Sequence, residues 1–433
     1  MNVGLISLGC DKNRVDAEKM LSRLSEAGYT ITADEQKADV LLINTCAFID
    51  AAKKEAIEAI LDGIDLKKRT GVKLVVTGCF SSRYPEEAKE GFPEADAFVP
   101  VKDEDKIVEV VDGLLGQTSE RTKESGRILT TPHWYAYLKI AEGCNNRCSY
   151  CAIPLIRGKY VSEPMETLAA EAQRLCEEGV KELIVVAQDT TMYGVDLYGE
   201  KRLVPLLKEL CKLDFYKVRL LYAYPERITD ELLDFIDNEP KMAKYLDIPM
   251  QHIDDEVLKK MRRASNEANI TELLGKIRSK KNYIAVRSSF IVGFPFETDA
   301  SYEKLRDFVR KNVDYAGFFI FSPEEGTEAY SFRPRIQKAI AKKRKIEAEK
   351  AQQEGLIERQ KRLLEQTVDV LCDGIDEKGA SFVGRTEYQT PEVDTKVFFS
   401  ADFNVRQGEV YKVKITEVGF HLKGVAAKEE NEI

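Results

Sequence analysis

Short apolar runs alternate with helix-like segments through the first quarter of the chain. The runs cover residues 3–8, 40–43 and 74–76, and each is followed by a polar turn and a segment of helical periodicity. Strands that are apolar on both faces are typical of a parallel sheet with helices on both sides. The pattern therefore predicts an N-terminal α/β domain over residues 1–116.

Strand and helix patterns alternate six times in the middle of the chain. A polar, charged stretch at 117–126 predicts a linker before this part. The six apolar runs lie at 135–141, 182–187, 217–222, 245–248, 285–292 and 317–321. Six βα units in series predict a curved parallel sheet, a partial (β/α)6 barrel, with its site at the carboxyl ends of the strands.

The last part of the chain combines a basic helical segment with short strands. Residues 333–362 hold 11 Lys/Arg against 4 Asp/Glu; this segment is either a solvated connector or an RNA-binding helix, and we favour the connector. The central domain then spans 127–362. Beyond it, five short apolar runs broken by Gly and Asp predict a small all-β barrel over 365–430.

Composition places the chain among soluble globular proteins. It has 433 residues, 43% of them apolar, and a net charge of −9, which argues against binding nucleic acid over its whole surface. No apolar run approaches the roughly 18 residues of a membrane span, and the first residues lack the basic leader of a signal peptide. Nine cysteines, an odd number, favour a reducing compartment and metal or redox use. We expect a cytoplasmic protein that contacts no membrane.

Three cysteines stand within eight residues directly after the first strand of the central domain. They are Cys144, Cys148 and Cys151, and Gly143 ends the preceding strand, which places the thiols on a tight loop. Three thiolates can hold three irons of a cubane cluster, whereas complete ligation takes four cysteines. One iron would then stay open to an exogenous ligand. A structural zinc or a redox pair is the alternative.

Three further cysteines fall at the same position in each repeat of the first domain. Cys10, Cys46 and Cys79 each follow the carboxyl end of an apolar run, 36 and then 33 residues apart. Parallel strands place these ends along one sheet edge, where such folds bind ligands, and neighbouring strands lie about 4.8 Å apart. The spacing therefore predicts a second three-thiolate cluster site. Burial of all three cysteines in a core is the alternative.

Polar residues also interrupt the ends of the central strands. Each one alone is typical of a loop cap, but the set on one rim predicts a ligand site. They are Gln188, Asp189, Gln251, His252, Glu324 and Glu325. The other cysteines, Cys176, Cys211 and Cys372, lie on apolar faces and are interpreted as core residues. His421 is interpreted as a barrel residue and not as a ligand.

The central loop resembles the cluster motif of radical S-adenosylmethionine enzymes. It reads Gly143-Cys144-x3-Cys148-x2-Cys151-x-Ile153-Pro154-x2-Arg157-Gly158. With the three upstream cysteines and the small barrel downstream, the chain resembles the methylthiotransferase family over nearly its full length. The resemblance implies that the final barrel is TRAM-like.

Two branches of this family act on different substrates, adenosine in tRNA or an aspartate of a small-subunit ribosomal protein. The stretches that resemble the ribosomal branch are 132–140, 187–194 and 245–252. The charge of the final barrel also favours the ribosomal branch. Residues 367–427 hold 7 Lys/Arg against 10 Asp/Glu, and this net negative charge disfavours binding to RNA phosphates. Val161 stands where the family commonly has an arginine, and Phe296 where it has a glycine, which puts substrate contacts in those loops in doubt.

The ribosomal branch implies methylthio transfer to the β-carbon of an aspartate. It implies two [4Fe-4S] clusters with three cysteines each, one per trio, and S-adenosyl-L-methionine as cofactor. The cofactor contacts we expect are Gln188, Asp189, Arg219 and Gln251. The implied partners are a small-subunit ribosomal protein, an electron donor such as flavodoxin or ferredoxin and a sulfur donor, with no direct nucleic-acid substrate. A tRNA adenosine methylthiotransferase and a non-catalytic iron–sulfur protein are the alternatives.

Overall fold

The computed structural model of the chain describes residues 1–119, 126–377 and 379–427. Most of the predicted linker at 117–126 and the predicted end of the last domain at 430 lie outside these residues. Within them the α/β fold class is confirmed, because an α/β domain, a six-stranded partial barrel and a closed β-barrel follow one another. No helix in the described part of the chain is long and apolar enough to cross a membrane.

The N-terminal domain is a five-stranded parallel sheet with helices on both faces. Its strands are β1 Asn2–Ser7, β2 Thr30–Thr32, β3 Val40–Thr45, β4 Lys73–Gly78 and β5 Ala97–Pro100. Its helices are α1 Asp11–Glu26, α2 Asp50–Thr70, α3 Cys79–Arg83, α4 Pro85–Gly91 and α5 Ile107–Leu115. The strand order is β2-β1-β3-β4-β5.

The three apolar runs predicted from the sequence correspond to β1, β3 and β4, which are neighbours in the sheet. Every residue of β3 is buried, as expected for a strand covered on both faces. The sequence pattern missed β2 and β5. Both are short edge strands with partly exposed residues, so they carry no continuous apolar run.

The central domain carries six parallel strands in a curved sheet, together with a two-stranded antiparallel sheet formed by Ala141–Glu142 and Val161–Ser162. The strands are β6 Tyr135–Lys139, β7 Ala141–Glu142, β8 Val161–Ser162, β9 Glu182–Val186, β10 Lys217–Leu220, β11 Tyr245–Asp247, β12 Ala285–Val292 and β13 Tyr315–Ile320. The helices are α6 Ile153–Arg157, α7 Met165–Glu177, α8 Val195–Tyr198, α9 Leu203–Leu210, α10 Asp230–Asn238, α11 Asp255–Lys260, α12 Glu267–Arg278 and α13 Asp299–Asn312. The strand orders are β10-β9-β6 and β11-β12-β13, and a backbone bridge between Val218 and Met242 links the two halves.

The basic segment forms the long helix α14, Lys338–Gln360, which packs against α13 and β13. Arg344 binds Glu297 at 2.5 Å and Arg359 binds Asp314 at 2.8 Å, so two of its cations face the barrel and not solvent. Gly355 allows the close approach, because a Cβ there would lie 2.0 Å from the carbonyl oxygen of Arg310. The helix therefore connects the central and C-terminal domains and packs against the central domain.

The C-terminal domain is a closed barrel of five strands, all of them predicted. They are β14 Thr367–Ile375, β15 Phe382–Arg385, β16 Val397–Ser400, β17 Val410–Val418 and β18 Leu422–Ala426. Cys372 is 1% exposed in its core, as the alternating pattern predicts.

The loop between β15 and β16 lies against the concave face of the central sheet. Glu182, at the start of β9, binds Arg385 of this barrel and also Arg219 at 2.7 Å. Tyr245, at the start of β11, donates its hydroxyl to Asp394 at 2.7 Å. These buried contacts fill the amino-terminal half of the partial barrel, so the carboxyl rim is left for a site.

Candidate metal centres

The central thiol loop runs from β7 to α6 and holds Cys144, Cys148 and Cys151, which we call the central trio. Gly143 begins it with a φ of +75°. A Cβ at this position would lie 2.1 Å from the carbonyl oxygen of Lys159, so only glycine lets the two ends of the loop meet. Cys144 and Cys148 are buried and Cys151 is half-buried.

Polar donors already surround the sulfur atoms of the central trio. The amide Nδ2 of Asn146 lies 3.4 Å from Sγ of Cys144, and its backbone N–H 3.5 Å from the same sulfur. Nη1 of Arg263 lies 3.8 Å from Sγ of Cys148. Donors of this kind stabilise a thiolate, the form of cysteine that binds metals.

Burial raises the pKa of the Cys144 and Cys151 thiols, and the neighbouring Cys148 raises both further. The three sulfurs are therefore close enough to influence one another's ionisation. Without a cation such buried thiols favour the neutral form, and a bound metal would displace their protons.

Two predicted rim residues hold this loop in place. Asp189 accepts hydrogen bonds from Asn146 at 2.9 Å and from Arg227 at 2.6 Å, while its other oxygen accepts from the Thr191 backbone at 3.1 Å. Gln188 donates to Glu142, one residue before Gly143, at 2.7 Å. Both carboxylate oxygens of Asp189 are thus engaged by protein donors.

The N-terminal trio, Cys10, Cys46 and Cys79, lies at the carboxyl ends of β1, β3 and β4. Cys10 precedes α1, Cys46 follows β3 directly, and Cys79 opens α3. The register pairs Ser7 with Asn44 and Thr45 with Gly78, so the three strand ends lie side by side. The structure therefore places the three cysteines at one edge of the sheet.

Two glycines make room for this convergence. Gly9 has a φ of +93°, and a Cβ there would lie 2.8 Å from Cβ of Cys46. At Gly78 a Cβ would lie 2.4 Å from Oδ1 of Asn44. Side chains at these positions would push the strand ends and their thiols apart.

Burial raises the pKa of Cys46, and it raises the pKa of Cys79 to about 12. Cys10 adds to both shifts, and the Arg157 guanidinium opposes both. The three thiols of this trio therefore interact electrostatically, as those of the central trio do.

The donor sets fit clusters better than single ions. Among the described residues, no three His, Cys, Asp or Glu side chains converge closely enough to hold one metal ion. A cubane does not require that convergence, because each thiolate binds a different iron. Three thiols that influence one another's ionisation are the ligands that an iron–sulfur cluster takes. The central trio offers them on one loop, and the N-terminal trio offers them at three neighbouring strand ends.

A buried ionic network joins the two trios. Arg157, six residues after Cys151, donates to Asp16 of α1 at 2.8 Å and to Glu142 at 2.6 Å. Lys139 also pairs with the carboxylate of Asp16 and, at 2.8 Å, with that of Glu142. Burial alone would raise the pKa of Glu142, but Lys139 and Arg157 outweigh it and lower the pKa to about 2. Ion pairs thus join the two domains beside Cys79 and next to the start of the central thiol loop.

Other rim contacts close the N-terminal domain over the barrel. Nζ of Lys12, two residues after Cys10, lies 3.4 Å from the ring centroid of Tyr222 at the end of β10. Glu324, after β13, binds Arg83 of α3 at 2.9 Å. The backbone carbonyl of Glu325 accepts from the same arginine at 3.1 Å. The predicted rim residues Glu324 and Glu325 therefore make domain contacts.

The remaining predicted site residues lie apart from these networks. Gln251 follows β11 with a φ of +70°, an uncommon conformation for a non-glycine residue. His252 is fully buried, 3.7 Å from Glu297. Arg219 lies elsewhere: it binds Glu182 and the backbone oxygen of Glu387 (3.0 Å) at the other end of the barrel. The prediction that Arg219 contacts a cofactor finds no support in this placement and stays a prediction.

Sequence reasoning missed the cations nearest the thiols, Arg157 and Arg263. Arg157 stands in the quoted motif, but nothing local indicates that it reaches Cys79, 78 positions away. Arg263 and Cys148 are 115 positions apart. Neither pairing leaves a periodic signal.

Comparison with known families agrees with this architecture. Three family models match in order: the uncharacterized protein family UPF0004 at residues 2–100, the radical SAM superfamily at 138–309 and the TRAM domain at 366–426. A partial barrel with this three-cysteine loop defines the class of radical S-adenosylmethionine proteins.

Within that class, the chain belongs to the family of the ribosomal protein uS12 methylthiotransferase RimO. It is 45% identical over 427 residues to the protein of that name from Thermoanaerobacter sp. (strain X514), covering 96% of this chain and 97% of the relative. The protein of the same name from Clostridium botulinum (strain Hall) is 43% identical over 442 residues, with 99% of both chains covered.

Solved structures share the fold at low sequence identity. The radical S-adenosylmethionine methyltransferase TsrM from Kitasatospora setae, with cobalamin and a [4Fe-4S] cluster bound, has a TM-score of 0.57 at 15% identity and 76% coverage of both chains. The cobalamin-dependent enzyme OxsB has a TM-score of 0.51 at 12% identity, covering 81% of this chain and 56% of that chain.

Proposed function

We propose that this protein is an enzyme that attaches a methylthio group to the β-carbon of an aspartate in ribosomal protein uS12. Full-length relatives at 41–45% identity carry the name of this activity. The observation that carries the proposal is the pair of three-thiol sites, one per domain, joined by the buried network of Arg157, Asp16 and Glu142. A reaction that inserts sulfur by radical chemistry would use one cluster to generate the radical and a second cluster to hold or supply the sulfur.

The central trio would hold a [4Fe-4S] cluster with one iron open to S-adenosylmethionine. When bound, that cluster supplies the electron that cleaves the sulfonium and yields a 5′-deoxyadenosyl radical. Asn146 donates to the sulfur of Cys144 and Arg263 to that of Cys148. Asp189 and Gln188 hold the loop through Asn146 and Glu142. We propose Gln188, Asp189 and Gln251 as the residues that define the cofactor pocket at this rim.

The N-terminal trio would hold the second [4Fe-4S] cluster, which holds or supplies the sulfur. A second S-adenosylmethionine would supply the methyl group. The role of the chain is positional: the contact of Lys12 with Tyr222 and the contact of Glu324 with Arg83 keep the N-terminal domain over the rim. A radical formed there stays close to the sulfur and away from water.

The charge of the C-terminal barrel suits a protein substrate. Residues 367–427 carry a net charge of −3, which favours a basic ribosomal protein over a nucleic acid. The reaction also requires an electron donor, such as a flavodoxin or ferredoxin, and a sulfur donor.

The substrate is tested by mass analysis in a deletion strain. The proposal predicts that uS12 loses the mass of one methylthio group and that modified adenosines in tRNA stay at wild-type levels. Loss of a methylthio group from tRNA with uS12 unchanged would assign the protein to the tRNA branch instead.

The cluster assignment is tested by iron and sulfide analysis of anaerobically prepared protein. Two cubanes correspond to about eight irons per chain. Cys148→Ala should lower the iron content and abolish 5′-deoxyadenosine production. The control is Cys176→Ala, because Cys176 packs at the edge of the barrel core on α7 and should leave both unchanged. A chain with one cluster, or deoxyadenosine production that survives Cys148→Ala, contradicts the proposal.

A further inference from the structure

Arg157 ends the short helix that follows the central trio, yet its guanidinium contacts Cys79 of the N-terminal trio. Nη2 donates to Sγ of Cys79 at 3.5 Å and to Oδ1 of Asn13 at 3.0 Å. The Arg157 side chain is 1% exposed. A buried cation that donates to a candidate cluster ligand of another domain is an unusual use of an arginine.

Packing fixes where this guanidinium lies. Ala152, just before α6, and Ile156, within it, share a hydrophobic cluster with Cys79 and Phe80 of the N-terminal domain. The short helix between Cys151 and Arg157 is therefore part of the core that carries Cys79. The side chain of Arg157 has little freedom to leave this position.

The charge of Arg157 reaches the whole N-terminal trio. Burial would lower the pKa of Arg157, but Asp16, Cys79, Glu142 and Cys10 outweigh it and raise the pKa, so the guanidinium stays charged. It also counters the rise in pKa that burial causes at Cys46 and Cys79.

The ion-paired charges around Arg157 balance only when it is present, and burial raises the pKa of the neighbouring Glu104, which favours its neutral form. Lys139 and Arg157 stand against Asp16 and Glu142 in one buried network. Removing the guanidinium would leave one excess negative charge beside the N-terminal thiols. Removing the carboxylate of Asp16 would leave one excess positive charge.

We infer that Arg157 is a positioning residue for the N-terminal cluster: it orients the sulfur of Cys79 and raises the reduction potential of the cluster bound there. The inference rests on the proposed function, because it takes that cluster as given. Net charge and hydrogen bonds to the sulfurs set the potentials of such clusters, and a nearby cation favours the reduced, more negative form.

The experiment isolates the N-terminal cluster in the full chain by replacing Cys144, Cys148 and Cys151 with alanine. The midpoint potential is then measured by redox titration followed by electron paramagnetic resonance. In this background Arg157→Met should lower the potential by about 60 mV or more, which is a tenfold change in the reduced-to-oxidised ratio for one electron. Arg157→Lys keeps the charge and should restore most of the shift.

A second variant has the opposite sign and guards against a folding defect. Asp16→Asn removes a negative charge from the same network and should raise the potential. The matched control is Arg14→Met on the same helix, whose guanidinium pairs with Glu392 at 2.8 Å, and its effect should be much smaller.

Each possible result either supports or overturns the inference. A potential that follows the sign of the charge change, down for Arg157→Met and up for Asp16→Asn, supports the inference, and either variant alone suffices if the other fails to load iron. An unchanged potential in a loaded variant, or equal shifts for Arg157→Met and Arg157→Lys, overturns it. If the background itself binds no iron, the proposed second cluster fails instead, and the inference falls with it.

Discussion

Nη1 of Arg83 in the N-terminal domain lies 2.9 Å from Oε2 of Glu324 at the rim of the central barrel, and both side chains are buried. Lys53 approaches the same carboxylate at 3.3 Å, and the backbone N–H of Asp50 donates to its other oxygen at 2.9 Å. One glutamate thus anchors three points of the N-terminal domain above the rim.

Glu324→Gln should destabilise the protein by about 3 kcal/mol, because it leaves the buried Arg83 without an opposite charge. Arg83→Met should cost less, since Lys53 still pairs with the glutamate. The measurement is the urea midpoint of unfolding. Lys68→Met is the control: its pair with Asp65 is mostly exposed and should contribute less than about 1 kcal/mol. Equal effects of Glu324→Gln and the control would contradict this prediction.

Gly143→Ala should abolish iron binding by the central trio and spare that of the N-terminal trio. The added Cβ would meet the carbonyl oxygen of Lys159 at 2.1 Å, and backbone cannot move aside as a side chain can. Gly199→Ala is the control, because Gly199 has a similar φ of +76° with no atom within 4 Å of the added Cβ. Iron content per chain measures both. A Gly143→Ala protein with full iron would show that the loop closes differently.

Asp314 should contribute stability that depends on pH. Burial would raise its pKa, but Arg278 at 3.0 Å and Arg359 at 2.8 Å outweigh it, so the pKa is lowered. Because the folded pKa lies below the unfolded value of about 3.9, the stabilisation is present above that pH and is lost as the pH falls through the folded pKa.

Asp314→Asn should therefore cost about 3–5 kcal/mol at pH 7, and its deficit against the wild type should shrink below about pH 4. Thermal unfolding measured from pH 3 to pH 8 gives both numbers. Glu86→Gln, which alters a pair with a 77% exposed carboxylate, should show no such trend. A deficit that is the same at every pH would mean that Asp314 is not charged in the folded state.

Measurements of stability and of cofactor affinity distinguish the role of Arg219 from that of Gln251. Arg219→Met leaves Glu182 with one arginine fewer in a fully buried site, so it should lower the unfolding midpoint by an amount equivalent to about 3 kcal/mol. Because Gln251 lies at the rim, Gln251→Ala should weaken binding of S-adenosylmethionine with little effect on stability. Isothermal titration of the loaded protein measures the affinity. Weaker cofactor binding by Arg219→Met at unchanged stability would confirm the sequence-based prediction that Arg219 contacts the cofactor.

The amino-acid sequence by itself determined the order of the three domains, most of their strands and the positions of six cysteines at strand ends. Apolar runs show which segments are buried, and a cysteine directly after such a run must lie near the strand's carboxyl end. Gly9, Gly78 and Gly143 are local signals of the same kind, since each stands where the backbone turns away from a strand. The edge strands β2 and β5 escaped because half-exposed residues carry no such pattern.

Only the tertiary structure decided what stands around the thiols. The sequence predicts Asp189 and Arg219 as cofactor contacts, and this stays a prediction. The structure adds their protein partners: Asp189 binds Asn146 and Arg227, and Arg219 binds the C-terminal barrel. The contact of Arg157 with Cys79 joins two domains through the packing of a short helix. Periodicity reports that a residue is buried, but a buried charge takes its partner from whichever element the fold packs against it, and that choice is made in three dimensions.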